Sequence, residues 1–350
     1  LTNRDGLLPV ASAPRRIAVL GPLADAREDM LGPWSGAGRA EDMVTFLDGV
    51  RKAWPQSEIT HAKGVDIDGD DMSGIPVAFD LARHADVVIL CLGEARWMSG
   101  EAGCRARPGL PGRQAALADA VLESGKPVVV LLSSGRQLTV PWLFERAGAV
   151  LATWYLGSEA GHAAADVLSG RWNPTGRLPV SWPVDVGQIP IFYARLPTGR
   201  PFDAGVRYTS KYLDMPNEPL FPFGHGLGYN RFAHDNLRVD RAELRPGETV
   251  SVELDVANEG GVAGEETILL FVRDPVASVS RPVLELKGMT KIRLEAGRRG
   301  TARMTLTTDA LAFLGHDLKP RLEPGVFELF VGPAAGADRL LKICISLLPI

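Results

Sequence analysis

The sequence predicts two folded parts: an α/β domain with an open, mostly parallel sheet and helices on both faces, followed by an antiparallel β-sandwich. Three observations lead to this fold class. Aliphatic runs alternate with amphipathic stretches up to about residue 182, a Pro-rich segment follows, and the apolar period then changes to two. At 350 residues the chain is also long enough for two domains of ordinary size.

The first part contains aliphatic runs without polar alternation, which are typical of parallel strands covered on both faces. The runs are Ile17–Leu20, Val87–Leu90 and Val128–Leu132. Between them, the stretches from Glu41 to Trp54 and from Arg113 to Ser124 space their apolar residues every three or four positions and predict helices. Ligands of such sheets bind beyond the carboxyl ends of the strands, where Glu94 and several Gly-rich loops follow.

Prolines and glycines crowd between Asn173 and Tyr229, so this stretch is expected to wrap a surface or link domains without regular elements. The apolar residues beyond it alternate with polar ones, as strands with one buried face require. The alternating residues are Val250, Val252, Leu254 and Val256, and later Phe327, Leu329 and Val331. Residues typical of turns lie at the ends of these runs, and the pattern predicts an antiparallel sandwich of about 110 residues.

Bulk composition excludes several classes of protein. The formal charge of −4 gives no sign of a nucleic-acid or anionic-membrane partner. Three cysteines without C-x-x-C spacing predict neither a closed disulfide framework nor a metal site. The apolar runs are shorter than the ~20 residues that span a bilayer. The first residues lack a signal-peptide pattern and an initiator Met, which suits a chain that begins inside a larger protein and leaves its compartment unknown.

Two other functional motifs are excluded by the spacing of their residues. The segment from Gly32 to Gly38 follows a strand but lacks the pattern of a phosphate-binding loop. Ser35 and Ser134 lack the G-x-S-x-G elbow of an acyl-transfer nucleophile. His162 and His225 are expected to be structural hydrogen-bonding residues.

Four regions, taken in order, carry a family resemblance. The chain begins with LTNRDGLLPV, and Leu92 to Gln114 reads LGEARWMSGEAGCRARPGLPGRQ. The region from Trp154 to Phe232 contains WYLGSEAGHAAADVLSGRWNPTGRLPVSWP and PLFPFGHGLGYNRF, and residues 272–288 contain VRDPVAS and RPVLELKG. Together they resemble the C-terminal part of glycoside hydrolase family 3, in particular its β-glucosidase branch, over nearly the whole chain.

This resemblance implies a domain organisation. Residues 1–15 would be the linker that leaves an absent (β/α)8 barrel, and residues 16–183 the family's α/β sandwich domain with an acid/base loop at 93–114. Residues 184–235 would be a Pro-rich wrapping linker. Residues 236–350 would be a fibronectin III-like domain, an immunoglobulin-like sandwich.

The resemblance also implies a catalytic residue. Retaining glycosidases need two carboxyl groups about 5 Å apart, and Glu101 stands at the Ser-Gly-Glu position that matches the family's acid/base. The nucleophile would be an aspartate of the barrel and is not in this chain. No cofactor and no metal are implied. From the residues alone, a solvated glutamate is the favoured interpretation of Glu101, as for most glutamates of Gly-rich loops.

Three neighbours of Glu101 are candidates for binding or supporting roles. Glu94 is a second candidate carboxylate, although a structural carboxylate that caps the loop through backbone N–H groups is favoured. Trp97 could stack on a sugar in an aglycone site or pack on a neighbouring domain. Arg105 could orient Glu101 or the nucleophile, or form a surface ion pair. Cys104 departs from the family, which commonly has a small hydroxyl residue there.

The resemblance implies that the complete enzyme hydrolyses terminal β-D-glucosides or β-linked oligosaccharides with retention, and that the isolated chain is inactive. Its partners would be the substrate and the barrel of the same protein, with no nucleic acid and no membrane. One alternative is a non-catalytic carbohydrate-binding or scaffold module, and another is a family member acting on xylosides, arabinosides or N-acetylglucosaminides. Localisation is open, although many relatives are periplasmic or secreted.

Overall fold

The computed structural model describes residues 1–10 and 14–349. Residues 11–13, in the expected linker, and residue 350, at the end of the expected sandwich, lie outside the described residues. Two compact units make up the chain: Leu1–Pro174 with Pro183–Ile189, and Thr175–Trp182 with Pro190–Ile350. Within the described part, no helix is both long and apolar enough to cross a membrane.

Six strands form the sheet of the first unit. They are β1 (Thr2–Asn3), β2 (Arg16–Leu20), β3 (Glu58–Ala62), β4 (Val87–Gly93), β5 (Val128–Ser133) and β6 (Ala149–Ala152). Their order across the sheet is β1-β6-β5-β4-β2-β3. All neighbouring strands run parallel except β1, which pairs antiparallel with β6. The predicted open, mostly parallel sheet is therefore confirmed.

Helices cover both faces of this sheet, as predicted. They are α1 (Arg27–Met30), α2 (Phe46–Ala53), α3 (Ile75–His84), α4 (Gln114–Leu122), α5 (Pro141–Arg146) and α6 (Ala160–Leu168). Right-handed crossovers, which parallel strands almost always adopt, place α2 on one face and α3, α4 and α5 on the other. The packing agrees, because α2 contacts α6 and α3 contacts α4.

The centre of the sheet explains why the aliphatic runs carry no polar residues. Every residue of β4 and of β5 is buried, since helices lie over both faces of these strands. The edge strand β3 is only partly buried. The helix predicted from Glu41 begins later, at Phe46, because the Thr45 side chain accepts the N–H of Asp48 at 3.1 Å and caps the helix there.

The winding of the sheet reverses between β2 and β4. The chain runs from β2 to the edge strand β3 and then returns to β4 on the other side of β2. Loops at the carboxyl ends of such a pair diverge and leave a crevice between them. The strand ends approach closely here: a Cβ on Gly21, which follows β2, would lie 2.3 Å from the carbonyl oxygen of Cys91. The loop predicted to carry the chemistry begins at this point.

The second unit is a β-sandwich whose strands pair antiparallel, apart from one short parallel pair at a sheet edge. Its strands are β7 (Phe232–Val239), β8 (Glu243–Leu244), β9 (Thr249–Asn258), β10 (Gly264–Arg273), β11 (Glu285–Leu294), β12 (Arg299–Thr307), β13 (Phe313–Leu314), β14 (Pro320–Arg321), β15 (Gly325–Gly332) and β16 (Leu341–Leu347). A five-stranded sheet, β11-β10-β15-β16-β8, and a three-stranded sheet, β12-β9-β7, enclose one apolar core. All seven alternating residues named in the sequence lie in that core, which confirms the prediction.

The Pro-rich stretch has little regular structure, as its prolines predict. In the second unit, residues 190–231 contain no helix and no strand, only a single bridge between Phe221 and Trp182. Aromatic packing orders part of this stretch instead. The ring of Tyr193 meets those of Phe223 and Phe271 at centroid distances of 4.7 and 5.3 Å, which joins it to the sandwich strand β10.

Candidate functional site

The loop after β4 begins at a glycine whose backbone conformation other residues rarely adopt. Gly93 has φ +143°, and a Cβ there would lie 1.7 Å from the carbonyl oxygen of Ser133 on the neighbouring strand. The side chain of Gln114 accepts the N–H of Gly93 at 2.8 Å and donates to its carbonyl at 2.7 Å. Glu94 then donates its N–H to the Ser133 carbonyl at 2.9 Å. These bonds fix the start of the loop against β5.

The carboxylate of Glu94 is fully buried, with 0% of the side chain exposed, and three side chains bind it. Ser99 Oγ donates to its Oε2 at 2.8 Å and Arg105 Nη1 to its Oε1 at 2.6 Å. Arg136 Nε lies 3.1 and 3.2 Å from the two oxygens. Burying a carboxylate costs several kcal/mol unless it is paired, and here two guanidinium groups supply the pairing. The partners of Glu94 are therefore side chains and not the backbone N–H groups expected from the sequence.

Glu101 lies at the exposed tip of the same loop. Gly103 donates its N–H to the Gly100 carbonyl at 3.1 Å, so Gly100 to Gly103 form a tight turn with Glu101 at its second position. Ala102 follows in the left-handed region, at φ +59°. Among the described residues, the Glu101 carboxylate has no hydrogen-bond or ion-pair partner. The two glutamates of the loop thus have opposite environments.

Arg105 binds Glu94 and the carbonyl of Gly109, the latter at 3.0 Å, and it does not bind Glu101. Its side chain is 21% exposed, so the ion pair is more buried than the surface pair considered from the sequence. Cys104 is exposed beside it. The structure therefore brings Glu94 and Arg105 together and leaves Glu101 apart from both.

Two exposed tryptophans lie near this turn. Trp97 is 67% exposed and Trp34 is 72% exposed, and a Cβ on Gly100 would lie 3.3 Å from Trp34 Nε1. A surface depression of about 490 Å³ begins at Trp97. The lining residues are Asp68, Trp97, Met98, Ala102, Gly103, Cys104, Arg105, Arg107, Gly109, Leu110, Pro111 and Gly112. An indole at the rim of a depression is a suitable surface for stacking on a sugar or an aryl group.

Sequence reasoning missed Arg136 and Tyr155. Arg136 follows β5 as Glu94 follows β4, and polar residues after neighbouring parallel strands meet at one sheet edge, so a signal for Arg136 was present. The Tyr155 hydroxyl donates to the carbonyls of Glu94 and Ala95 at 3.3 and 3.2 Å. Burial raises the pKa of Tyr155 to about 12, so the phenol keeps this proton at neutral pH.

No group of three or more His, Cys, Asp or Glu side chains in the described ranges could hold a metal ion. His162 lies between Glu159 and Lys52 on the surface, with its Nε2 at 3.0 Å from the Lys52 amine. It is a hydrogen-bonding residue, as the sequence led us to expect, and it lies on α6, away from the loop after β4.

Comparison with known proteins places this chain near one group of enzymes. Residues 1–229 match the family described as glycosyl hydrolase family 3 C-terminal domain, and residues 266–335 match the fibronectin type III-like domain. A periplasmic β-glucosidase of Salmonella typhimurium is 38% identical over 95% of this chain and 46% of its own length. A β-xylosidase of Formosa agariphila is 36% identical over 99% of this chain and 48% of its own length.

A solved structure of a β-glucosidase is also similar to this chain. The β-glucosidase of Listeria innocua in complex with glucose is similar over 100% of this chain and 48% of the other chain, at a TM-score of 0.92 and 38% identity. The chain thus spans about half the length of the relatives that it matches.

Proposed function

The chain belongs to glycoside hydrolase family 3, and on that premise we propose that it supplies the general acid/base, Glu101, of a retaining β-glucosidase. The nucleophile, an aspartate of a (β/α)8 barrel, would come from an N-terminal half like that of the relatives. We call the protein that joins such a half to this chain the intact enzyme. Its substrates would be terminal β-D-glucosides, including β-linked oligosaccharides.

One observation carries the assignment of Glu101: the loop after β4 holds two carboxylates with opposite environments. Glu94 is buried and bound by two arginines and a serine, so its carboxylate cannot reach a substrate. Glu101 is exposed on a turn and free of partners within the described part of the chain. A residue that works in the cleft of another domain needs such a position.

The proposed chemistry is that of a retaining glycosidase. The barrel carboxylate attacks the anomeric carbon while Glu101 donates a proton to the departing glycosidic oxygen. Glu101, now a carboxylate, then takes a proton from water as that water attacks the glycosyl-enzyme. Two inversions at the anomeric carbon give net retention. Neither step requires a cofactor.

Replacing Glu101 by Ala in the intact enzyme tests the assignment. We expect the turnover of 4-nitrophenyl β-D-glucoside to fall by about 10²- to 10⁴-fold, the usual contribution of a positioned acid/base. Glu123→Ala is the matched control, because Glu123 is exposed at the end of α4 and should keep the parent rate. Unchanged turnover of Glu101→Ala would remove the acid/base role and favour the non-catalytic binding or scaffold module.

We also propose that Trp97 stacks on the aglycone, since its indole is exposed at the rim of the depression. Trp97→Ala should raise KM for β-linked oligosaccharides several-fold, whereas Trp172→Ala, a change at a similarly exposed indole that follows α6, should not. Equal KM values for the two variants would remove this role.

A β-xyloside is the second candidate substrate. The observation that favours it is the β-xylosidase that is 36% identical over 99% of this chain. Comparing kcat/KM of the intact enzyme on 4-nitrophenyl β-D-glucoside and β-D-xyloside separates the two, and a preference for the xyloside would replace the glucoside assignment.

A further inference from the structure

Two carbonyl groups flank the turn that carries Glu101, and one side chain binds both. We infer that Arg136 is a positioning residue for the reaction: it clamps the two stems of this turn, and buried Glu94 holds Arg136 in place. The inference rests on the proposed acid/base role of Glu101. It assigns a function to a residue 35 positions away in the chain, after a different strand.

The contacts of Arg136 bracket Glu101. Its Nη2 donates to the carbonyl of Met98, on one side of the turn, and to the carbonyl of Gly103, on the other side, at 2.5 Å. Its Nε binds Glu94. The guanidinium group is therefore shared between the buried carboxylate and both ends of the loop segment that contains Glu101.

Ser99 also attaches the segment before Glu101 to the sheet edge. Its hydroxyl donates to Glu94 at 2.8 Å and accepts the N–H of Gly135 at 3.2 Å. The stems also touch each other, because a Cβ on Gly103 would lie 2.9 Å from the carbonyl carbon of Ser99. The segment on both sides of Glu101 is thus attached to the residues that follow β5.

The turn itself needs this support. Gly100 has φ +89° and Ala102 has φ +59°, and a left-handed alanine costs about 1 kcal/mol or more. A short Gly-rich turn with such strain would relax to other conformations if its stems were free. With the stems fixed at Met98 and Gly103, Glu101 lies two residues from the nearer fixed point, and a displacement of about 1 Å can cost 10²-fold in rate.

Arginine suits this position better than lysine. Its planar group directs five N–H donors in fixed directions, so Nε and Nη2 can bind different acceptors at once. A lysine amine at the same place carries its donors on one atom and cannot reach Glu94 and both carbonyls together. Arg136→Lys keeps a positive charge beside Glu94, which also retains Arg105 and Ser99, so the variant is expected to fold.

The test compares two substrates of the intact enzyme that differ in their need for an acid. Phenyl β-D-glucoside has a poor leaving group and requires protonation, whereas 2,4-dinitrophenyl β-D-glucoside leaves without it. We expect Arg136→Lys to lower kcat/KM for the phenyl substrate by about tenfold to a hundredfold and to leave kcat/KM for the dinitrophenyl substrate within about threefold. Backbone hydrogen exchange of residues 96–105 should be faster. If Arg136 had a merely structural role, Arg136→Lys would lower kcat/KM equally for both substrates.

Two further variants complete the design. Arg146→Lys, a change on α5 at an exposed ion pair with Asp119 of α4, is the matched control and should match the parent on both substrates. Glu94→Gln, which keeps the shape of the side chain, should reproduce the selective loss on the phenyl substrate. If Arg136→Lys does not fold, Glu94→Gln decides the question alone.

The outcomes separate the two proposals. Equal losses on both substrates, or no loss on either, would overturn the positioning role of Arg136. If Glu101→Ala also shows no selective loss on the phenyl substrate, the acid/base assignment itself fails. A selective loss in Glu101→Ala that Arg136→Lys and Glu94→Gln lack would overturn only the clamp.

Discussion

At the scale of single residues, position relative to the end of β4 decides what each carboxylate can do. Glu94 is the first residue after the strand, so its side chain enters the packed sheet edge, where charge must be neutralised by partners. Seven residues later, Glu101 lies at the tip of a turn. The loop therefore contains one buried, paired carboxylate and one exposed carboxylate, and the second is the one that we propose transfers a proton.

His225 gives a residue-level prediction about stability and pH. Its ring stacks on that of Phe221 at a centroid distance of 4.5 Å, and its Nε2 is buried without a hydrogen-bond partner in the described part of the chain. Burial lowers the pKa of His225 to about 4, below the value of about 6.5 expected in the unfolded chain. Between these two pKa values the unfolded state binds more protons than the folded state. The contribution of neutral His225 to the free energy of unfolding is therefore complete above pH 6.5 and is lost as the pH falls through 4.

His225→Phe should remove this pH dependence. The loss of unfolding free energy between pH 7 and pH 4, measured by urea unfolding, should be smaller in the variant by up to about 3 kcal/mol, at 1.36 kcal/mol per pKa unit. Comparing the two pH values within each protein cancels any change in packing. An identical loss in the variant and the parent would show that the imidazole does not titrate in this way.

How far the site could be predicted differs from residue to residue. Glu101 and Trp97 could be selected as candidates because the short loop that contains both resembles the acid/base loop of the family. Arg136 could be expected at the same sheet edge as Glu94 because it follows the neighbouring strand, but its pairing with Glu94, 42 positions away, depends on the register of β4 and β5. Contacts that depend on strand register are not encoded in any local pattern.

Among the secondary-structure elements, the strands with an unbroken or regularly alternating pattern of apolar residues could be predicted from the sequence. The run Val128–Leu132 identified β5 because both of its faces are covered. The strand β3, Glu58–Ala62, escaped prediction because it lies at the sheet edge, is half-buried and mixes polar with apolar residues. The alternating strands of the sandwich were predicted because one face of each meets a single core.

The end of β4 supports a prediction about packing between elements. Gly93→Ala would place a methyl group 1.7 Å from the Ser133 carbonyl oxygen, so β4 and β5 would have to separate. The control is Gly125→Ala, a glycine at φ +71° with nothing within 4 Å of its Cβ, which also has a positive φ but lacks the overlap. We expect Gly93→Ala to be less stable than Gly125→Ala by about 3 kcal/mol or more in urea unfolding. Equal stability of the two variants would contradict the close approach of the strands.

At the scale of the whole molecule, fold and chemistry are linked by the reversal of winding between β2 and β4. Sheets of this kind bind ligands beyond the strand ends at such a reversal, and the loop that bears Glu101 begins there. The (β/α)8 barrel that would hold the nucleophile is not part of this chain. Catalysis would therefore be divided between two halves of one protein.

Because the proposed nucleophile lies in the barrel and the proposed acid/base in this chain, we predict that the isolated chain is inactive. Without an attacking carboxylate, its rate on 4-nitrophenyl β-D-glucoside, followed by 4-nitrophenol release, should equal that of buffer. Adding an N-terminal half like that of the relatives should restore turnover, and adding it to Glu101→Ala should not. Hydrolysis by the isolated chain at the rate of the intact enzyme would refute the division.

The central claim, that Glu101 transfers the proton, is tested most directly by azide. In the Glu101→Ala variant of the intact enzyme, the glycosyl-enzyme formed from 2,4-dinitrophenyl β-D-glucoside should accumulate, because water lacks a base. Azide needs no base, so it should accelerate turnover and yield β-glucosyl azide, with retained configuration. Turnover that azide does not change, without any glycosyl azide among the products, would contradict the claim.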